Sequence, residues 1–174
     1  DLGGLNVALD YLSGAVNFDP AVDRVPAGFA SSLVWFDAFV GNVDRTARNT
    51  NLLMWHRQPW LIDHGAALTF HHAWNGTVAV PAKPFAPIAE HVLLPQADDL
   101  AAVDAGLAAR LSAAVLQAIL AEVPDAFLAQ AGADATEGPL ADPARHRQAY
   151  VDYLTARLAG RQGGWLQGAI DARG

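Results

Sequence analysis

Between residues 51 and 63 two short apolar runs, NLLMW and PWLID, stand on either side of the polar residues HRQ. Apolar runs of this length around a polar turn predict a β-hairpin. The sequence around it reads as helix or loop. Before the hairpin, PAGFASSLVWFDAFV from Pro26 to Val40 predicts a helix. Pro26 suits its first turn, Phe29, Leu33, Phe36 and Val40 fall on one face, and Gly41 with Asn42 ends it. Residues 5–16, LNVALDYLSGAV, also carry apolar side chains at helical spacing and stop near Gly14. After the hairpin, residues 64–96 are irregular, because Pro81, Pro84, Pro87 and Pro95 interrupt any long element. From Ala97 onward the pattern is helical in pieces, over 98–109, 110–123, 125–131, 142–160 and 164–171. The segment 131–141 (AGADATEGPLA) reads as a linker. The expected architecture is one domain over 1–174, mainly α with a small β-hairpin. Its polar loop and hairpin occupy 42–66 and its helical bundle 97–171.

Composition narrows the function. A chain of 174 residues can bury one sizeable core. Its formal charge is −7, and its eleven basic residues are spread thinly, so it lacks the cationic patch that nucleic acid or an anionic membrane surface would need. Cysteine is absent, which removes disulfides and thiolate chemistry and fits a reducing cytoplasm. Asp37, Asp104 and Arg110 break the apolar runs before membrane-spanning length, and no basic segment precedes an apolar one at the start. The expected location is cytoplasmic.

The chemistry concentrates in NVDRTARNTNLLMWHRQPWLIDHGA, residues 42–66. Phosphoryl transfer asks a protein for a carboxylate that orients the attacking hydroxyl and for oxygen ligands to Mg²⁺. Asp44 and Asn49 stand in the spacing D-x-x-x-x-N, which the kinase catalytic loop uses for those two roles. A hairpin after this loop would return Asp63 beside Asn49, and Gly65 would let the backbone turn away. The plainer alternative makes Asp44 a turn residue capping a backbone N–H, with Asn49 and Asn51 as turn formers. Arg45 is open to three roles: orienting Asp44, meeting a phosphate, or forming a surface ion pair. His64, His71 and His72 near Asp63 suggest a Zn²⁺ set, but their spacing fits no zinc motif, so a solvated or substrate-lining role is expected. Trp35, Trp55, Trp60, Trp74 and Trp165 are expected to anchor the core, with Trp74 on the substrate side, and the Ala/Leu face of 101–123 to pack against it.

GNVDRTARNTNLL followed by PWLIDHGAAL resembles the catalytic core of HipA-like kinases, which share the protein-kinase fold and are similar here to phosphatidylinositol kinases. FHHAW and HVLLP resemble a bacterial branch of HipA-type proteins. The resemblance covers about residues 33–75. It implies the C-terminal lobe of a protein-kinase-like fold that uses ATP and Mg²⁺. Asp44 would be the catalytic base, Asn49 and Asp63 the Mg²⁺ ligands, and Asn51 would lie under the nucleotide base. The acceptor would be a hydroxyl, most simply Ser or Thr of a protein, and some members of the family are the toxin of a toxin–antitoxin pair. Only 43 residues precede Asp44, without a lysine or a strand–Gly-loop–strand pattern. The nucleotide-clamping lobe is therefore expected from the rest of a longer chain or from another chain. The alternatives are a small-molecule kinase of the aminoglycoside type, a pseudokinase that binds a partner and transfers nothing, and, last, a His/Asp metal hydrolase.

Overall fold

The computed structural model describes residues 8–73, 82–131 and 142–174, with backbone alone for 72–73 and 129–131. The fold is mainly helical with a small three-stranded antiparallel sheet.

The first regular element is the short strand β1, Val16–Asn17. The expected helix over 5–16 does not form in its described part: residues 8–12 are irregular and a turn at 13–14, with Gly14 at φ +79°, leads into β1. Its alternative partner is distant in sequence, since Val16 pairs with Met54 and Asn17 with Leu53 on β2, Leu52–Trp55. Strand β3, Gln58–Leu61, completes the sheet in the order β1-β2-β3. The hairpin is the one the sequence predicts, with Leu52 opposite Leu61 and Trp55 opposite Gln58. Its turn is tighter than HRQ, because Gln58 belongs to β3 and only His56 and Arg57 turn, at φ +48° and +64°. Two consecutive residues at positive φ match the right-handed twist of the paired strands.

Helix α1, Ala27–Val40, runs through the centre of the fold, with Pro26 at the position just before its first turn. Gly41 ends it at φ +66° and ψ +43°, a left-handed conformation that a side chain would strain. Its buried surface is wider than one stripe. Leu33, Val34, Trp35, Asp37, Ala38 and Phe39 are all buried, whereas the expected face residue Phe36 is 38% exposed. Such a helix is covered on most sides. Helices α2 (Leu100–Ala108) and α6 (Trp165–Arg173) and the 3-10 turns at Ala86–Glu90 and Leu94–Gln96 pack directly on it. Helix α5, Pro143–Ala159, lies against α3 (Ala113–Ala121) and α4 (Asp125–Ala131). A third 3-10 turn spans Thr69–Ala73.

These boundaries follow from capping. Asp99 accepts the Ala102 N–H before α2, Ser112 accepts the Val115 N–H before α3, and Asp142 accepts the Ala144 N–H with Pro143 opening α5. Each satisfies a donor that the first helical turn leaves without a partner. The aromatic core is built on Trp35, whose ring lies 5.5 Å from Phe39 and 5.3 Å from Trp165. Trp55 and Trp60 do not join it. They pack edge to face on the sheet, and Trp60 is 42% exposed. Trp74 and the linker-like 132–141 fall outside the described residues. Of the Ala/Leu stretch, Leu100 and Leu116 enter the core, while Val115 and Ile119 are exposed. Among the described residues no single helix is long and apolar enough to cross a membrane.

Candidate functional site

The loop 42–51 leaves the end of α1 and enters β2, and two separate carboxylates organise it. Asp44 is at its rim, half-buried. Its Oδ2 accepts the side-chain amide of Asn49 at 2.7 Å and that of Asn51 at 3.2 Å. Both of these donors are side chains, and among the described residues the carboxylate accepts no backbone N–H of the kind the plainer sequence reading supposes; the N–H of Asp44 itself goes to Asn42 Oδ1. The loop closes on itself through Thr46 N–H to the Asn49 carbonyl and Asn49 N–H to Thr46 Oγ1. The D-x-x-x-x-N spacing thus brings Asp44 and Asn49 together, with the Asn49 amide nitrogen turned toward Asp44. The planar amide directs Asn49 Oδ1 the other way, and that oxygen has no hydrogen bond among the described residues.

The hairpin returns Asp63 to this region. Ile62 N–H donates to the Asn51 carbonyl at 3.1 Å, one pair beyond Leu52–Leu61, and Asp63 follows immediately. Both Asn51 and Asp63 take positive φ, +46° and +47°, which Asn and Asp tolerate better than most residues. Asp63 is exposed, and its Oδ1 accepts the Gly65 N–H at 3.1 Å. This is the turn away from the hairpin that Gly65 predicts. Asp63 Oδ2 has no hydrogen bond among the described residues. Asn51 is buried, with its amide donors aimed at Asp44, and with Asn49 it lines a cavity of 470 Å³ together with Asp19, Arg48, Leu52 and Ile62.

The second carboxylate, Asp37, is wholly buried on α1. Its Oδ2 accepts Arg45 Nε at 2.6 Å and His91 Nε2 at 2.9 Å, and its Oδ1 accepts the Asn42 amide at 3.1 Å. Burial by itself would raise this carboxyl, but the bond from His91 and the Arg45 charge outweigh it and hold it below the ordinary aspartate value. His91 Nδ1 accepts the Leu93 N–H at 3.1 Å, which puts the ring proton on Nε2, facing Asp37. Arg45 also donates through Nη1 to the Asn51 carbonyl, and its Nη2 lies 3.4 Å from His64 Nδ1. Partial loss of hydration and then the Arg45 charge keep His64 below the usual histidine value. Of the three roles left open for Arg45, the covered side chain rules out the surface ion pair and a direct meeting with phosphate, since its carboxylate partner Asp37 is buried with it; it also makes no side-chain bond to Asp44.

Asp37, Asn42 and His91 are the residues that motif reading misses. Their one local signal is a carboxylate in the middle of the apolar run LVWFDAFV, which must find buried partners or unfold the helix from its neighbours. Among the described residues no three of His, Asp and Glu gather as a metal site of their own, and the His72 side chain lies outside them. Asn49 Oδ1 and Asp63 Oδ2 carry no hydrogen bond among the described residues and are oxygen donors of the type a hard divalent cation takes. Hard oxygens few in number suit Mg²⁺, which keeps much of its hydration and binds through substrate phosphates. Comparison with models of protein families, with curated proteins and with solved structures finds no match.

Proposed function

We propose that this chain is the catalytic C-terminal lobe of a kinase of HipA-like type, transferring phosphate from ATP to a hydroxyl, most simply that of a protein Ser or Thr. The observation that carries the reading is the pair of amide bonds onto Asp44 Oδ2 from Asn49 and Asn51. They fix the carboxylate, occupy one of its oxygens and leave Oδ1 to accept the hydroxyl proton. As the acceptor oxygen bonds to the γ-phosphorus, its proton moves to Asp44 Oδ1. The bond from phosphorus to the β–γ bridging oxygen breaks, and ADP leaves with that electron pair. Asn49 Oδ1 and Asp63 Oδ2 are the oxygens that would hold Mg²⁺, which when bound neutralises charge on the phosphates. The 470 Å³ cavity beside Asn49 and Asn51 has room for part of the nucleotide. Enclosing the rest of it requires a second lobe.

The test is phosphate transfer by the full-length protein from radiolabelled ATP to a Ser/Thr peptide library, run beside a thermal melt. Asp44→Asn is expected to lower kcat about 10²–10⁴-fold with little change in KM for ATP, because it faces the acceptor. Asp63→Asn is expected to abolish Mg²⁺-dependent turnover. Asp63 is exposed and Asp44 lies half-buried at the rim, where an asparagine oxygen can still accept the Asn49 and Asn51 amides, so neither change should shift the melt by more than a degree or two. Parental turnover in Asp44→Asn would return that residue to a turn former, and a parent without turnover on any acceptor would leave a partner-binding pseudokinase.

A further inference from the structure

We infer that Arg45 is a positioning residue: its buried guanidinium sets Asp44 and Asp63 in register with one another without touching phosphate. The inference rests on the phosphotransferase reading of Asp44 and Asp63. Arg45 is the residue next to Asp44, and its backbone is pinned by the Val92 N–H on its carbonyl at 3.0 Å, while Thr46 bridges to His91. Its side chain points inward and meets three structural units at once. Nε meets Asp37 of α1, Nη1 meets the Asn51 carbonyl, and Nη2 approaches His64, the chain neighbour of Asp63. The Asn51 carbonyl is shared, since it also takes the Ile62 N–H that closes the base of the hairpin. One planar cation therefore braces the loop bearing Asp44 against both arms of the hairpin, one ending in Asn51 and the other leading to Asp63.

The choice of arginine follows from geometry. A guanidinium holds its donors in fixed directions in one plane, so three acceptors around it are fixed relative to each other. An ammonium group has no such plane. The anchor is itself oriented: Asn42 and His91 complete the acceptors of Asp37, and Leu93 N–H fixes the His91 tautomer. Transfer to an acceptor hydroxyl depends on where the proton acceptor stands relative to the bound phosphate, and a misplacement of about 1 Å costs about 10²-fold in rate. A residue that controls only this placement should alter kcat and spare KM for ATP.

The experiment compares Arg45→Lys with Arg161→Lys in the full-length protein. Arg161 also meets a buried aspartate, Asp104, but among helices remote from the loop in sequence. Arg45→Lys is expected to lose about 10–100-fold in kcat with KM for ATP within twofold of the parent. Arg161→Lys is expected to melt earlier and keep kcat. His91→Gln, whose amide can donate to Asp37 as the Nε2–H does, should recover part of the kcat that His91→Leu loses. Parental kcat in a folded Arg45→Lys overturns the inference. If the parent itself transfers no phosphate, the phosphotransferase reading fails instead, and amide exchange followed by NMR decides the positioning role alone. The Ile62 and Val92 amides should then exchange at least tenfold faster in Arg45→Lys and at the parental rate in Arg161→Lys. Equal protection of both amides in the two variants overturns it.

Discussion

Asp37 and Asp104 have nearly the same description: each is buried, each meets an arginine and each takes a second donor from an aromatic nitrogen. Asp104, on α2, accepts the Trp35 indole N–H at 2.9 Å and Arg161 Nε at 2.8 Å. Its partners are α1 and Arg161, two residues past the end of α5, so the cluster ties helix to helix. Asp37, on α1, is held by Asn42 and Arg45 from the loop and by His91 from the segment packed on it. The Asp104 arginine keeps 22% of its side chain in solvent, whereas that of Asp37 keeps none. The same residue pair thus serves two ends. Near α2 it reinforces a core that apolar packing already builds. At the end of α1 it replaces apolar packing, because the loop 42–51 brings mainly polar side chains to its own base.

The largest expected difference is in stability on truncation. Asp37→Ala leaves Arg45 buried without its carboxylate and should cost about 3–5 kcal/mol. Asp104→Ala should cost about 1–3 kcal/mol, since Arg161 can turn toward water and the loss is chiefly of hydrogen bonds. Urea unfolding midpoints of the two variants check the order, and equal costs would break the distinction between the clusters.

Acidification separates the layers more gently. Asp37 is held below its ordinary value, so it binds a proton less readily folded than unfolded. Its contribution is complete above the unfolded value of 3.8 and is lost as the pH falls through the lower folded one. In the helical layer, burial keeps His146 on α5 below its ordinary 6.5, against a weaker opposing bond from the Leu128 backbone. Its neutral form is favoured by folding, and that stability is present above 6.5 and drains away below it. Melting temperature followed from pH 7.5 to 3 should therefore decline first in a step that His146→Phe reduces, the remainder coming from His64, which is also held below its ordinary value. A second decline, absent in Asp37→Asn, should appear only below about pH 4. A single decline unaffected by either change would contradict both assignments.

The parts of this molecule legible in its sequence are those decided locally. Asp142–Pro143 and Gly160 bracket α5, Gly41 stops α1, and the alternation of runs around residues 56–58 announces the hairpin. What was not legible depends on distant partners. Val16 and Asn17 form a strand because β2 lies 36 or more residues away to pair with them, while the apolar spacing of 5–16, which ends at Val16, argues for helix. Helical spacing selected Phe36 for the core and had no reason to select Asp37. Its burial is made tolerable by Arg45, eight residues on, and His91, fifty-four residues on. Asp44, Asn49 and Asp63 could be proposed from residue type and spacing, and Asn51 only from the resemblance. The amide bonds onto Asp44 could not, because they require the loop to close through Thr46 and Asn49.

The smallest effect lies at the other end of the hairpin and tests how far the Asp37 cluster reaches. Arg57 sits at φ +64° in the second position of a two-residue turn, where glycine is unstrained. Relief of that strain exceeds the extra chain entropy of glycine only slightly, so Arg57→Gly should stabilise by about 0.5 kcal/mol, or about 1–2 °C. The gain exists only where the turn is formed. If the cluster holds just the base of the hairpin, the paired register Leu52–Leu61 through Trp55–Gln58 survives in Asp37→Ala, and the two changes add within about 0.3–0.5 kcal/mol. If the gain disappears in that background, and hydrogen exchange at Trp55 and Gln58 rises with it, the hairpin depends on Asp37 along its whole length. Because the expected gain is no larger than the usual scatter in additivity, the exchange rates, read on the same double variant, carry the decision.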